Sequence, residues 1–270
     1  MTPVSDRLHL AIDIARRAGA GLRDGLGRSS VRSKGSLEIL TEHDLASEQL
    51  IVDAIMTTFP GDAILAEEGG ARPGEDWTWL VDPLDGTTNF AHGLPIFSVS
   101  IAGRRQGTLE FAVVYDPTRD ELFQAERGHG GWVNDRSLRC SSAGQLDESL
   151  LVTGFPYDLR ENPDNNLDRF AFLSRQARAV RRLGSAALDL AYVAAGRFDG
   201  YWELRLSPWD MAAGMLLVEE AGGKVTRIDG SPDPFRPPAS IVATNGRIHG
   251  ALLEALDHAR RPGAVAGDRP

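Results

Sequence analysis

Residues 79–90 read WLVDPLDGTTNF, and this stretch carries the most specific pattern in the chain. An apolar run ends at Asp82, Asp85 follows three residues later, and Gly86 then precedes two threonines. Two carboxylates at the end of a strand are costly to bury without a compensating partner. They could accept hydrogen bonds from nearby backbone amides in an Asx-type turn, or they could bind a cation. The pattern alone leaves both interpretations open.

Two further acidic positions extend this pattern. Glu67, followed by Glu68 and two glycines, ends a short apolar run, and Asp210 lies in the first turn of a predicted helix. Taken singly, the glutamates could be a solvated pair, and Asp210 could serve only the helix dipole. Taken with the two aspartates, Glu67 and Asp210 complete a set of oxygen donors, which selects Mg²⁺ or Mn²⁺ over zinc or copper.

A set of four carboxylates indicates phosphate chemistry. It is large enough to hold two divalent cations, and such a pair can clamp the attacking and leaving oxygens of a phosphoryl displacement. The backbone amides of Gly86, Thr87 and Thr88 are suited to hold the phosphate itself. Bound cations would also convert an acidic pocket into a phosphate receptor.

Composition narrows the class of protein. Among the 270 residues, Asp and Glu outnumber Lys and Arg by 38 to 29, which gives a formal net charge of −9. This balance argues against direct nucleic-acid binding, which needs a basic surface. The single cysteine, Cys140, excludes an internal disulfide and a cysteine-based zinc cluster. No apolar run approaches the roughly eighteen residues of a membrane span, so no membrane partner and a cytoplasmic location are expected.

Hydrophobic periodicity predicts a layered α+β or α/β protein. Helices are predicted from Leu8 to Leu22 after a Ser5 cap, and at 41–59, 165–178, 184–196, 208–221 and 247–259. Strands are predicted at 63–68, 78–83, 98–103, 109–117, 121–126, 199–204 and 240–245, with a hairpin at 128–138. Strands therefore concentrate in the first half of the chain, with only one pair late in the second half.

The chain as a whole resembles a known family. The string DPLDGTTNF, preceded by GDxxxxEE and followed by WDxAAGxxLVEEAGG, closely resembles the inositol monophosphatase family, which is related to fructose bisphosphatase. The resemblance spans roughly residues 5–260 and implies a layered αβαβα sandwich of the sugar-phosphatase fold. It also implies a lithium-sensitive, Mg²⁺-dependent phosphatase that commonly forms a homodimer.

We expect a single phosphatase domain over residues 1–262. Its metal and phosphate half would span about 1–145 and its substrate half about 146–262. Residues 263–270 are expected to form a disordered tail, since they offer nothing to bury.

The resemblance assigns the metal ligands residue by residue. Glu67, Asp82 and the backbone carbonyl of Leu84 would hold one Mg²⁺, and Asp82, Asp85 and Asp210 a second. Glu67 would share a third, weaker ion. Mn²⁺ would substitute for Mg²⁺, and Li⁺ would inhibit.

Catalysis would depend on Thr87, Asp44 and Glu67. By similarity, Asp44 accepts a hydrogen bond from the Thr87 hydroxyl, which in turn orients and helps to deprotonate the attacking water. Asp44 could instead only cap a helix, because Thr41-x-x-Asp44 resembles a capping box. Lys34 matches a lysine that lines the site, or it could be a solvated loop lysine.

Substrate contacts are expected from both halves. By similarity, Gly86, Thr87 and Thr88 would contact the phosphate, Gly184, Ser185 and Ala186 would lie against the ring of the alcohol, and Glu203 would bind a ring hydroxyl. Ser185 could also be a helix N-cap. Phe155, Tyr157 and Asp158 could wall the mouth of the site.

The preferred substrate is a small phosphate monoester, with myo-inositol 1-phosphate ranked first. Fructose 1,6-bisphosphate would need cations for its second phosphate, and Arg181, Arg182 or Arg205 could supply them. Histidinol phosphate would need an acid for its amine, and Glu203 or Asp158 could serve. An alternative of another class is a regulatory protein that binds the transcription machinery through surface arginines such as Arg178, Arg181 and Arg182, which could instead form a solvated helix end.

Overall fold

The computed structural model describes residues 5–35 and 37–260. The helices are α1 (Asp6–Gly25), α2 (Glu42–Thr58), α3 (Thr87–Ala91), α4 (Leu167–Gln176), α5 (Ala186–Ala194), α6 (Pro208–Glu220) and α7 (His249–His258). The first strands are β1 (Val31–Ser33), β2 (Ile39–Thr41), β3 (Ala63–Ala66), β4 (Gly70–Arg72), β5 (Trp77–Asp85), β6 (Ser98–Arg105), β7 (Thr108–Asp116) and β8 (Glu121–Glu126). The remaining strands are β9 (Gly130–Val133), β10 (Arg136–Ser137), β11 (Leu150–Thr153), β12 (Ala179–Arg181), β13 (Gly200–Leu204), β14 (Lys224–Thr226) and β15 (Ser240–Thr244).

Two sheets organise the described chain. The larger has eight strands in the order β10-β9-β8-β7-β6-β5-β3-β4, and the smaller has five in the order β12-β11-β13-β15-β14. Strand β5 lies inside the larger sheet, antiparallel to β6 and parallel to β3. Strands β1 and β2 form a separate two-stranded ribbon.

Helices cover and separate these sheets. Helices α1 and α2 pack on the eight-stranded sheet, α5 and α6 contact strands of both sheets, and α4 and α7 pack on the five-stranded sheet. The order of layers is therefore helix, sheet, helix, sheet, helix. This confirms the expected αβαβα sandwich.

The sequences of the helices fit their layers. Helix α1 begins where the Ser5 hydroxyl accepts a hydrogen bond from the Leu8 amide at 3.3 Å, as the predicted cap requires. Helix α5 lies between the two sheets, and every residue from Ala187 to Ala194 is buried. A helix covered on both sides has to be apolar around its whole circumference, which explains the run AALDLAYVA.

The expectation of only one late pair of strands was wrong. The second half contributes all five strands of the smaller sheet, and β11, β12 and β14 were not predicted. Strands β12 and β14 have three residues each and β11 has four, which is too short for alternation to be recognised. The predicted tail at 263–270 lies outside the described residues. Within the described part, no helix is long and apolar enough to cross a membrane.

Candidate active site

The two aspartates of the WLVDPLDGTTNF stretch lie at the end of β5, inside the eight-stranded sheet. Asp82 pairs with Ser100 of β6, the ladder is interrupted, and pairing resumes between Asp85 and Ser98. Pro83 falls in the interruption, where its missing N–H removes no ladder hydrogen bond. Both carboxyl groups are buried, Asp82 with 2% and Asp85 with 8% of its surface exposed. Their burial therefore has to be compensated locally.

Gly86 turns the chain from β5 into the short helix α3. Its φ of +94° lies in the left-handed region, which favours glycine. A Cβ at this position would also lie 2.9 Å from the carbonyl oxygen of Ile96. The turn therefore requires glycine, and it places Thr87 next to the end of β5.

Asp85 connects the two halves of the chain. One carboxyl oxygen accepts hydrogen bonds from the Ser98 hydroxyl at 3.2 Å, the Ala187 amide at 3.0 Å and the Ser185 hydroxyl, and the other accepts from the Ala186 amide at 3.1 Å. Ser185 does occupy the N-cap position of α5, but its side chain makes no capping bond and donates to Asp85 instead. The acid from β5 thus caps the helix that carries the second half of the site.

Asp210 is fixed by its own helix. It lies in the first turn of α6, after Pro208, and its Oδ2 accepts the Ser207 amide at 2.7 Å. A carboxylate at a helix N-terminus is favoured by the helix dipole. Its position therefore suits the helix dipole, as the sequence suggested, and the bond to Ser207 holds the side chain in place at the cavity described below.

Asp44 makes both contacts that the sequence suggested, one with the start of α2 and one with Thr87. Its Oδ2 accepts the backbone N–H of Thr41 at 2.9 Å and the Thr41 hydroxyl at 2.5 Å, which caps α2. Its Oδ1 lies 3.0 Å from the hydroxyl of Thr87, which also lies 3.0 Å from the carbonyl oxygen of Leu84. Asp44 is fully buried. The capping bonds therefore fix the carboxylate that accepts the hydrogen bond from the Thr87 hydroxyl.

The same face of α2 holds two more parts of the site. One turn after Asp44, the Ser47 hydroxyl donates to the Pro83 carbonyl at 2.8 Å. Glu48 accepts the backbone amides of Glu68 at 2.8 Å and Gly69 at 2.6 Å. Helix α2 thus fixes the end of β5 and the segment that follows Glu67. We did not predict Glu48 from the sequence, although its spacing of four residues from Asp44 places both acids on one helix face.

The ammonium group of Lys34 pairs with the two glutamates, although the residue is exposed. Its Nζ is 3.3 Å from Glu67 Oε1 and also contacts Glu68. Burial raises the pKa of Glu67 to about 7, although the charge of Lys34 opposes this shift. The lysine therefore offsets part of the negative charge at this end of the site.

The four candidate metal ligands act on one another electrostatically. Burial raises the pKa of Asp82 well above its ordinary range, and the charges of Glu67, Asp85 and Asp210 add to the increase. Burial also raises the pKa values of Asp85 and Asp210. A cluster of buried acids in this state is stabilised by protons or by cations.

The residues fit Mg²⁺ by donor chemistry and by charge. Their side chains supply hard oxygen donors, and a divalent ion would relieve the repulsion that raises their pKa values. Within residues 5–35 and 37–260, no three His, Cys, Asp or Glu side chains are already arranged so that they could hold an ion.

A cavity of about 390 Å³ brings together the predicted site residues from both halves. On the side formed by β5 and α6, it is lined by Asp82, Leu84, Asp85, Gly86, Thr87, Thr88 and Asp210. On the side formed by the second half, it is lined by Gly184, Ser185, Ala186 and Glu203, with Phe155 and Tyr157 also lining it. Asp44, Glu67 and Lys34 are not lining residues. Asp44 contacts the lining residue Thr87, and Glu67 raises the pKa of the lining residue Asp82.

Glu203 lies on β13 and lines the same cavity as the candidate metal ligands Asp82, Asp85 and Asp210. Burial raises its pKa to about 7, and the Tyr201 hydroxyl donates to its Oε2 at 2.5 Å. Arg182 and Arg205 line the cavity as well. Asp158 is paired with Arg205 at 3.0 Å and is not a lining residue, so its expected place at the mouth was wrong.

Asp189 is a cavity residue that we did not predict from the sequence. It lies in the first turn of α5 and is almost fully buried. The available signal was a single acid in the otherwise apolar run AALDLAYVA. Without the fold, that acid could equally have been a residue of the helix N-terminus.

The fold and the cavity define a layered α+β protein whose acidic site joins two sheets. The profile of the Inositol monophosphatase family matches residues 4–261, and the chain belongs to this family.

Among its relatives, the Nus factor SuhB of Pseudomonas aeruginosa is 48% identical, with 92% of this chain and 95% of the relative covered. An Inositol-1-monophosphatase of Mesorhizobium japonicum is 44% identical over 92% of this chain and 95% of the relative. The solved inositol monophosphatase of Anabaena (Nostoc) is 46% identical, has a TM-score of 0.85, and is matched over 93% of this chain and 94% of that one. The family and the relatives named as inositol monophosphatases support phosphatase activity.

Proposed function

We propose that the protein is a Mg²⁺-dependent phosphomonoesterase whose substrate is myo-inositol 1-phosphate. The observation that carries the proposal is the single cavity that joins the acids of β5 and α6 to Glu203 and the start of α5. A phosphate among the acids and a polyol against Glu203 would fill its two sides. Glu67, Asp82, the Leu84 carbonyl, Asp85 and Asp210 would hold the cations. When bound, Mg²⁺ supplies Lewis-acid stabilisation of the phosphate charge.

The chain's own groups would prepare the attacking water. The hydroxyl of Thr87 donates to Asp44, so its oxygen lone pairs remain available to accept a hydrogen bond from water. The second oxygen of Asp44 is fixed by Thr41, which keeps the carboxylate in the position to accept from Thr87. The pair would thus orient the water and receive its proton as it attacks phosphorus. The alcohol would leave on the side of Glu203.

The alcohol side of the cavity favours a polyol over a bisphosphate. Arg205 forms an ion pair with Asp158 and donates a hydrogen bond to the carbonyl of Asp164. Of the two arginines among the described residues that line the cavity, only Arg182 therefore has no ion pair. Two acids, Glu203 and Asp189, line the same cavity, and neither supplies the positive charge that a second phosphate needs. This balance supports the ranking of inositol phosphate above fructose 1,6-bisphosphate.

The test is phosphate release with Mg²⁺ from inositol 1-phosphate, fructose 1,6-bisphosphate and histidinol phosphate. Wild type should prefer inositol 1-phosphate. Asp85→Asn should abolish release, whereas Asp135→Asn, at an exposed position, should leave it unchanged. Preference for another ester would overturn the substrate, and Mg²⁺-independent release would overturn the metal mechanism. Mn²⁺ should substitute for Mg²⁺, and Li⁺ should inhibit. Sedimentation of the same sample should show a homodimer.

A second candidate function comes from the relative in Pseudomonas aeruginosa, which is named a Nus factor. That name favours a role in which this chain binds the transcription machinery. Arg178 and Arg181 are exposed and could face such a partner, whereas Arg182 lines the cavity and is withdrawn from that list. Partner binding that survives Asp85→Asn but is lost in Arg178→Ala and Arg181→Ala would separate this role from hydrolysis.

A further inference from the structure

Asp189 is a buried acid with an unsatisfied oxygen. Its surface is 1% exposed, and its Oδ1 has no hydrogen-bond partner among the described residues. Buried carboxylates are normally paired or hydrogen-bonded, because an unpartnered one lowers the stability of the fold. The same residue lines the cavity. A ligand in the cavity could therefore supply the hydrogen bond that this side chain lacks.

The surroundings of Asp189 do not supply a partner. Its pKa is raised well above the ordinary range, first by burial and then by the charges of Glu203 on β13 and Asp85 on β5. Arg182, just before α5, opposes the shift by its charge, but no ion pair joins it to Asp189 in the described part of the chain. The side chain is therefore suited to a hydrogen-bonding group that enters the cavity.

Part of the hydrogen-bonding capacity of Glu203 is already in use, because the Tyr201 hydroxyl donates to its Oε2. A cyclic polyol presents several neighbouring hydroxyls, and each one that is buried without a partner weakens binding. A second carboxylate in the same cavity meets that need.

We propose that Asp189 is a specificity-determining residue, which binds a hydroxyl of the leaving alcohol beside Glu203 and selects phosphate monoesters of polyols. This inference rests on the proposed function. It concerns the alcohol and not the phosphate, so it predicts different effects on two kinds of ester. Loss of Asp189 weakens binding of a polyol phosphate and leaves an ester without hydroxyl groups unaffected.

The test compares Asp189→Leu and Asp189→Asn on inositol 1-phosphate and on p-nitrophenyl phosphate. Loss of one substrate hydrogen bond predicts a loss of about two- to tenfold in kcat/KM for inositol 1-phosphate with the leucine variant. The loss should appear mainly in KM, and p-nitrophenyl phosphate should be hydrolysed as by wild type. Asparagine retains a polar group and should restore part of the preference. The melting temperature of Asp189→Leu should not fall, because the variant removes an unsatisfied buried group.

Asp116→Asn is the matched control. Asp116 is equally buried but accepts hydrogen bonds from Thr118, Arg119 and Tyr192. Its variant should lower the melting temperature without changing the preference between the two esters.

The inference is overturned if Asp189→Leu loses both activities equally, or keeps the wild-type preference, while wild type does hydrolyse inositol 1-phosphate. If wild type releases no phosphate from inositol 1-phosphate, the proposed function fails and the inference with it.

Discussion

The hydroxyl of Thr87 lies 3.0 Å from Oδ1 of Asp44, and the other oxygen of that carboxylate caps the helix on which it sits. One buried carboxylate thus caps the start of α2 and also orients a hydroxyl at the end of β5. The coupling explains how a small polar pair keeps its geometry. The acid cannot rotate away from Thr87 without giving up its bonds to Thr41.

Thr87→Ala is expected to reduce kcat strongly. The variant removes the hydroxyl that would orient the water, and contributions of this kind are typically about 10²- to 10⁴-fold. Thr87→Ser keeps a hydroxyl in reach of Asp44 and should retain most of the rate. The measurement is kcat at saturating Mg²⁺ and substrate, with Thr57→Ala on exposed α2 surface as the control. Equal rates for the alanine and serine variants would remove Thr87 from the mechanism.

Glu48→Gln is expected to raise the Mg²⁺ concentration needed for half-maximal activity. Glutamine can accept through only one oxygen, so one of the amides of Glu68 and Gly69 loses its partner, and the segment after Glu67 becomes less fixed. At saturating Mg²⁺, kcat should approach that of wild type. Titration of Mg²⁺ by calorimetry provides a readout that does not depend on turnover.

Asp53→Asn is the matched control for Glu48→Gln, since Asp53 is an exposed acid on the same helix. Unchanged Mg²⁺ affinity in the Glu48 variant would show that its two hydrogen bonds serve the fold alone.

The two unpredicted acids show where sequence reasoning stops. Asp82, Asp85 and Thr87 are close in sequence, so their proximity in space follows from one turn. Glu67 and Asp210 could be added because they are donors of the same kind. Glu48 and Asp189 could not, because their roles depend on which face of α2 and α5 is buried and against what. That information comes from tertiary packing.

The short strands that the sequence did not predict, such as β11, have a related explanation. The long strands β5 to β8 alternate or run apolar over six to nine residues, and all four were predicted. Strands of three or four residues such as β11 are held by their neighbours on both sides, β12 and β13. Their own sequences carry too little pattern, so the five-stranded sheet is determined by assembly rather than by local preference.

Mg²⁺ is expected to raise the melting temperature of the wild type. A cation relieves the repulsion among the four candidate ligand acids, and an ion at a hundred times its Kd would add about 2.7 kcal/mol to the free energy of unfolding. Asp82→Asn removes one of the repelling charges. It should therefore melt higher than wild type in EDTA and gain less from Mg²⁺. Calorimetric melting of both proteins in EDTA and in Mg²⁺ measures this, and identical Mg²⁺-dependent gains in the two would contradict the ligand role of Asp82.

His249 is expected to make the fold less stable in acid. It lies between the hydroxyls of Thr226 and Thr244, at 2.9 Å and 3.0 Å from its ring nitrogens, and burial with the nearby charge of Lys224 lowers its pKa to about 4. The unfolded chain, with a histidine pKa of about 6.5, binds this proton first.

The stability contributed by neutral His249 is thus complete above about pH 6.5 and is lost as the pH falls toward 4, by at most about 3 kcal/mol. Buried acids with raised pKa values, such as Asp82, act in the opposite direction, so the effect has to be read as a difference between proteins. The free energy of unfolding of His249→Asn should fall less steeply between pH 7 and pH 5 than that of wild type, whereas His129→Asn, at an exposed position, should follow wild type. Parallel curves for wild type and His249→Asn would show that the histidine titrates alike in the folded and unfolded chain.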